Sequence, residues 1–294
     1  MKKLGLFILL ISTQVFAGPM VGRKYQSVVE TMQNLERTYP QNVEMFELGV
    51  SDSGKSIVGI KVGNGAISNL LVATHHGNEY GSTEVAIGFA ESVAAEPIQG
   101  QTLYIIPVLN IVGYDSRNRH ESSTTGWHDA NRDYPGPCGT DGPHNLKSTK
   151  MLAEFVDKMG IVASATIHTS WPAVVYPWGI STNDIDTPYT DIFKVMANNA
   201  VYVSKYTAGN STAVIYPADG TFEDYAFWKH GVWSMLFEVG YSHSPNQKAV
   251  EELVRVNTPG LRKMFAEAPS QRAADHEFRG HCNIAMKLLD RRDE

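Results

Sequence analysis

The sequence predicts an α/β protein: a single domain with a central mixed, mostly parallel twisted β-sheet flanked by helices. Three observations predict it. Apolar runs at Leu70–Ala73, Thr102–Leu109, Val162–Ile167 and Trp233–Val239 read as buried strands. Helical periodicity lies between several of them, so those connections are long enough for crossovers. Two earlier strand patterns, Met45–Leu48 and Ile57–Val62, flank the turn cluster Ser51-Asp52-Ser53-Gly54. That pattern predicts a hairpin, which makes the sheet mixed rather than purely parallel.

In chain order, residues 1–17 read as a secretory leader. Lys2 and Lys3 form its basic start, Leu4–Ile11 its apolar core, and Val15-Phe16-Ala17 a small-residue cleavage site. The core is too short to span a membrane, and no later run is long and apolar enough to do so. The mature protein is therefore expected to be exported, periplasmic or secreted, with residues 18–268 forming the domain. Tyr25, Val28, Val29, Met32 and Leu35 mark a first helix that Pro40 ends. A second helix follows the Leu70–Ala73 strand, from about Ser82 to Ala94. Pro107 argues for the end, or an edge position, of the Thr102–Leu109 strand. Residues 110–145 read as one long polar connection, of the kind that is usually functional or disordered. Helices are expected at 146–159, 187–200, 222–230 and 247–266, the last broken at Pro259-Gly260. Residues 269–294 form a polar extension of unassigned role.

Composition narrows the function. Of 294 residues 43% are hydrophobic and 19% charged, ordinary values for a globular enzyme. A net charge of −6 without a basic run argues against nucleic acid as a partner. Cys138 and Cys282 are the two cysteines; in an exported chain they either bridge or remain separate thiols.

The chemistry concentrates where strands end, the usual place for sites in α/β sheets. The Leu70–Ala73 strand runs into His75-His76-Gly77-Asn78-Glu79. His76 and Glu79 are three apart and can reach one point, whereas His75 has Asn78 at that spacing. An imidazole nitrogen and a carboxylate oxygen suit zinc, at about 2.0–2.2 Å. His168 repeats the arrangement at the end of Val162–Ile167. Three protein ligands with a fourth position open to water is the usual catalytic zinc arrangement. Glu238 is an acid inside an apolar strand, where a carboxylate is either paired or working, and it is the candidate general base. Asp129-Ala130-Asn131-Arg132 is a compact donor-rich cluster suited to a carboxylate.

These motifs together resemble the zinc metallocarboxypeptidases of the carboxypeptidase A/B type over roughly residues 22–267. The resemblance is carried by His76-Gly-Asn-Glu79, Asp129-Ala-Asn131-Arg132, Thr166-Ile-His168-Thr, Tyr176-Pro-Trp-Gly179, the segment Tyr216–Tyr225 and Leu236-Phe-Glu238, all in the family's order. It implies one Zn2+ per chain, held by His76, Glu79 and His168, the ligand set of carboxypeptidase A. It also implies Glu238 as general base, and Asn131 and Arg132 on the substrate's terminal carboxylate with Tyr216 closing over it. Asp129 would orient a ligand histidine. An arginine just before the Asp-Ala-Asn-Arg motif would polarise the scissile carbonyl; Arg119 fits the pattern better than Arg117. Glu223, seven residues after Tyr216, falls at the base of the pocket for the last side chain, where an acid goes with Lys or Arg ends. No pro-segment of the usual size is expected, and Tyr225 stands where the family often has tryptophan.

The expected activity is removal of the C-terminal residue of a peptide, with Lys, Arg or the diamino end of a cell-wall stem peptide preferred. The expected form is a monomer. Two rivals stand beside it: an N-acyl amino-acid deacylase of a related zinc family, and a zinc-holding protein that binds peptide C-termini without turnover.

Overall fold

In the computed structural model, which describes residues 21–139 and 143–282, the apolar runs lie side by side in one eight-stranded sheet. The leader, residues 1–17, is outside the described residues. The chain enters through α1 (Tyr25–Thr38), whose Tyr25, Val28, Met32 and Leu35 share the buried face that their spacing predicts. The hairpin β1 (Val43–Val50) and β2 (Ser56–Val62) follows, then β3 (Ile67–Ala73), α2 (Tyr80–Ala95) and β4 (Gln101–Ile106). Next come α3 (Ile111–Ser116), a small hairpin of β5 (Glu121–Ser123) and β6 (Gly126–His128), and α4 (Lys147–Lys158). The second half is β7 (Ala163–His168), β8 (Ala173–Tyr176), α5 (Thr190–Ala200), β9 (Thr207–Asn210), α6 (Ser211–Val214), α7 (Phe222–His230), β10 (Trp233–Glu238) and α8 (Gln247–Glu267).

The strand order is β1-β2-β4-β3-β7-β10-β8-β9. Four of the seven neighbour pairs are parallel and three antiparallel, so the sheet is mixed and mostly parallel as expected. This order positions the site. Strands β3, β7 and β10 are adjacent and parallel, so they end at one edge of the sheet. Glu238 is in register with His168, and the chain leaving β3 reaches His76 beside them.

Several expectations change. Residues 110–145 are not one loop: α3, the β5–β6 hairpin and a 3-10 turn at Ala130–Arg132 are folded within it. None exceeds six residues, too short to carry a legible period. The strand expected to reach Leu109 ends at Ile106, just before Pro107. Strands β8 and β9, four residues each, were not foreseen. Helix α8 runs unbroken through Pro259. The proline can free only one carbonyl, that of the exposed Arg255, while Val250, Leu253, Val256, Leu261, Met264 and Phe265 hold the helix against the core. Gly260 lets α8 approach α5 closely, since a Cβ there would lie 1.8 Å from the Ala200 carbonyl oxygen.

The chain after α8 folds back across the domain. Arg272 donates to the Val156 and Ile161 carbonyls, Ala273 pairs with Gly231, and Phe278 meets Trp178 edge-on. Cys282 is bonded to Cys138 across a sequence separation of 144. So long a closed loop removes much unfolded-chain entropy, worth about 2–4 kcal/mol for a typical bridge. Replacing both cysteines by serine is therefore expected to lower the melting temperature by roughly 5–10 °C. A thermal scan with an unchanged midpoint would place the tail's anchorage in its hydrogen bonds and the Phe278 contact alone.

Candidate functional site

The turn out of β3 is tightly determined. Thr74 adopts φ 61°, a costly conformation for a β-branched residue. Its hydroxyl is held by Thr83 Oγ1 at 2.6 Å and by the Pro107 carbonyl at 3.1 Å. The Asn110 amide caps the Thr74 carbonyl at 3.0 Å. Gly77 admits no side chain, because a Cβ would stand 1.9 Å from the Gly113 carbonyl carbon. The next turn then carries His76 and Glu79 inward, both buried.

His76, Glu79 and His168 converge. His76 Nδ1 lies 2.9 Å from Glu79 Oε1, and His168 Nδ1 lies 3.1 Å from Glu79 Oε2. The two imidazole Nδ1 atoms are only 3.2 Å apart. Two ring N–H groups cannot face each other at that distance, so at least one lone pair points inward. One donor atom from each residue falls within 4.8 Å of the others. Two buried nitrogens and a buried carboxylate around one point are the donor chemistry zinc takes, so the residues fit the ion. Behind them, Asp129 Oδ1 accepts from His76 Nε2 at 2.9 Å, which fixes the ring and leaves Nδ1 toward the centre. Burial would raise the Asp129 and Glu79 carboxyls. His76 with Arg132 and Arg119 outweighs it at Asp129, and His76 with His168 at Glu79, so both stay well below the ordinary range. Asp129→Asn is expected to weaken zinc affinity about 10- to 100-fold, measured by competition with a chromogenic chelator. Unchanged affinity would show that the His76 ring is set by packing alone.

Glu238 ends β10 beside the donor set, its Oε2 without a hydrogen-bond partner among the described residues. Burial, and then the Glu79 charge, push its carboxyl up to about 8. Arg119 reaches across the cleft, bonding Asp129 at 2.8 Å and approaching Glu79 at 3.6 Å. Arg117 turns away: it lies 4.5 Å from the Tyr114 ring centre, 4.8 Å from that of Tyr80, and donates to the Arg23 carbonyl. Of the two arginines, only Arg119 lines the cleft.

Two cavities meet here. A narrow one of about 40 Å³ is lined by His76, His168, Glu238, Asn131, Arg132, Tyr216, Glu223 and Asp224, with apolar walls from Val175, Ile215 and Leu236. An open cleft of about 810 Å³ shares His76, Arg132, Tyr216 and Glu238 and continues past Glu79 and Arg119. Asn131 Oδ1 accepts from the Phe222 amide at 2.9 Å, tying the 3-10 turn to the start of α7. Arg132 Nη2 lies 3.4 Å from the Tyr216 hydroxyl. Glu223 accepts from Thr166 Oγ1 and is buried, as is Asp224, so neither lies on a solvated face. All ten predicted site residues thus border this junction or bond to residues that do.

Some residues of the site carried no sequence signal strong enough to single them out. Asp224 accepts twice from the Gly179 amide, and burial followed by the Glu223 charge raises its carboxyl well above the ordinary range. An acid beside an acid in a short, largely apolar helix was its only trace. His75 is fully buried, stacks on His168 and bonds Tyr134. Its spacing to Glu79 is wrong for a shared ligand point, so the sequence pattern does not single it out.

Comparison with known proteins agrees with this geometry. A family model described as zinc carboxypeptidase matches residues 28–260. Human carboxypeptidase B is 24% identical over 259 residues, covering 74% of this chain and 62% of the human protein. Carboxypeptidase B of Astacus astacus is 23% identical, covering 71% of this chain and 82% of its own. Among solved structures, bovine thrombin-activatable fibrinolysis inhibitor, bound to a tick carboxypeptidase inhibitor, superposes with a TM-score of 0.76. It is 19% identical, covering 82% of this chain and 95% of that one. With the model match spanning most of its length, the chain belongs to the zinc carboxypeptidase family.

Proposed function

We propose that the protein is a zinc-dependent carboxypeptidase acting on peptides that end in a basic or diamino residue: Lys, Arg, or the diamino acid of a cell-wall stem peptide. One observation carries the reading. Asn131, Arg132 and Tyr216, the cluster suited to a terminal carboxylate, border the same narrow cavity as His76, His168 and Glu238. Groups suited to anchoring a terminal carboxylate and a group suited to handling protons thus face one cavity.

His76, Glu79 and His168 would hold the zinc, which when bound makes hydroxide accessible near neutral pH and polarises a carbonyl. The remaining roles belong to the chain. Arg132 offers its planar fork to the terminal carboxylate, and Asn131 adds amide donors. Tyr216, half exposed at the rim, closes over them. Glu223 meets the cation of the last side chain. Arg119 donates toward the scissile carbonyl oxygen, where negative charge develops. Glu238 takes a proton from the attacking water as the new C–O bond forms. It returns that proton to the amide nitrogen as the C–N bond breaks.

The protein is further read as exported and monomeric. The leader pattern and the Cys138–Cys282 bond both suit an oxidising compartment. Among the described residues no helix is long and apolar enough to cross a membrane.

Mass spectrometry of a mixed pool tests the reading. The pool holds peptides ending in Lys, Arg, Phe and Glu, a cell-wall tripeptide and tetrapeptide, and acetylated amino acids. The expected result is chelator-sensitive loss of single basic or diamino C-terminal residues. Hydrolysis of acetylated amino acids alone would make the protein a deacylase. Stoichiometric peptide binding without product would make it a binding protein.

A further inference from the structure

The open cleft has a feature that the proposed reaction leaves unused. The protein has five tryptophans. Trp178 and Trp233 are buried and Trp228 packs against the core. The remaining two, Trp127 and Trp171, are 53% and 59% exposed, and both line this one cleft. Exposed indoles cost apolar hydration and are enriched where proteins grip partners.

Both are presented on anchored backbone. Trp127 sits on the β5–β6 hairpin opposite Ser122, one step before the segment that carries Asp129, Asn131 and Arg132. The hairpin is tied down by buried Glu121, which accepts from Ser148 on α4 at 2.5 Å. Trp171 closes the loop that leaves His168. There the Thr169 amide donates to Glu79 at 3.0 Å. The loop is thus pinned on the catalytic side while its indole stands in the open. Little ordering cost remains for a ligand that docks on these rings.

The chemistry of the cleft narrows the ligand. Its charged lining residues are Glu79, Arg119, Asp129, Arg132 and Glu238, all of which belong to the reaction centre. His120, His128 and His243 line the same cleft as the two indoles. With the last residue of a substrate in the narrow cavity, the chain on the other side of the scissile bond can only continue into the open cleft.

We propose that Trp127 and Trp171 form an upstream subsite that selects peptides with aromatic or bulky apolar side chains in the residues before the scissile bond. This rests on the carboxypeptidase reading for its direction. It makes the enzyme selective on both sides of the bond: for charge in the narrow cavity, for aromatic surface in the open cleft.

The test compares peptides of one length and one C-terminal lysine, carrying either glycine or phenylalanine at the two preceding positions. With the zinc-loaded enzyme, phenylalanine is expected to lower KM roughly five- to tenfold, as aromatic pairing supports, with kcat little changed. Trp127→Ala and Trp171→Ala should each shrink that ratio, and the double variant should bring it near one. Trp127→Phe and Trp171→Phe should retain it, which guards against loss through misfolding. The same peptides are titrated calorimetrically into the Glu238→Gln protein, which reads the preference without turnover. Equal binding and equal KM for both peptides would overturn the subsite. Tighter binding of sugar-linked stem peptides than of either would also overturn it and assign the indoles to a saccharide. Preferential binding of the phenylalanine peptide with no hydrolysis by the zinc-loaded wild type would uphold the subsite and overturn the carboxypeptidase reading.

Discussion

Replacing Glu238 by glutamine is expected to reduce kcat by about a thousandfold while zinc content stays at one per chain, as suits the loss of a general base. The substitution keeps the shape of the residue and one acceptor oxygen, and removes its charge and its ability to accept a proton. Glu238 sits at the end of β10 in register with His168, yet it is not among the three convergent donors. The ion therefore has no reason to leave. The environment explains why an acid is used here. Burial and the Glu79 charge push the carboxyl up to about 8, which favours holding a proton. A cation at the neighbouring donors works against that shift and favours the carboxylate form a base needs. Turnover within tenfold of wild type, at full zinc occupancy, would remove Glu238 from the proton path.

The residues of the centre were legible because the fold delivers them by one simple device. Three apolar runs, each followed or closed by a polar residue with metal or proton chemistry, become adjacent parallel strands. Their C-terminal ends then coincide: His76 just past β3, His168 on β7, Glu238 on β10. Such runs stand out because both faces of a central strand are buried, which makes the segment largely apolar. Periodicity fails where elements are short or held by distant contacts. Ala173–Tyr176 lies between Pro172 and Pro177, which gives a four-residue strand no pattern to declare. Pro259 reads as a breaker, yet α8 continues because its buried face outweighs one missing hydrogen bond. The Cys138–Cys282 bond joins residues 144 positions apart, and nothing local to either cysteine records that distance. The choice between Arg117 and Arg119 had the same character: two residues apart, they differ only in what surrounds them. Tyr80 and Tyr114 take one; Asp129 takes the other.

In the proposed reading, Glu223 selects the substrate by charge rather than by shape. Glu223→Gln and Glu223→Leu are each expected to lower kcat/KM for Lys- and Arg-ending peptides by roughly a hundredfold or more relative to Phe-ending ones. That is the scale of breaking a buried charge pair, about 2–5 kcal/mol. Two features make the effect large. The residue is buried in a narrow cavity with Val175, Ile215 and Leu236 among its walls, so water screens little. Asp224, the next acid along α7, does not stand in for it. Both its oxygens accept from the Gly179 amide, and burial with the Glu223 charge raises its carboxyl well above the ordinary range, which disfavours its charged form. The two variants separate the causes. Glutamine keeps an acceptor for Thr166 Oγ1 and nearly the same volume, removing charge alone. Leucine removes the charge and adds apolar surface, so it should gain activity on Phe ends that glutamine does not. Product ratios from an equimolar Lys, Arg and Phe pool measure both. A glutamine variant that still strongly prefers Lys and Arg would move the source of basic selectivity away from Glu223.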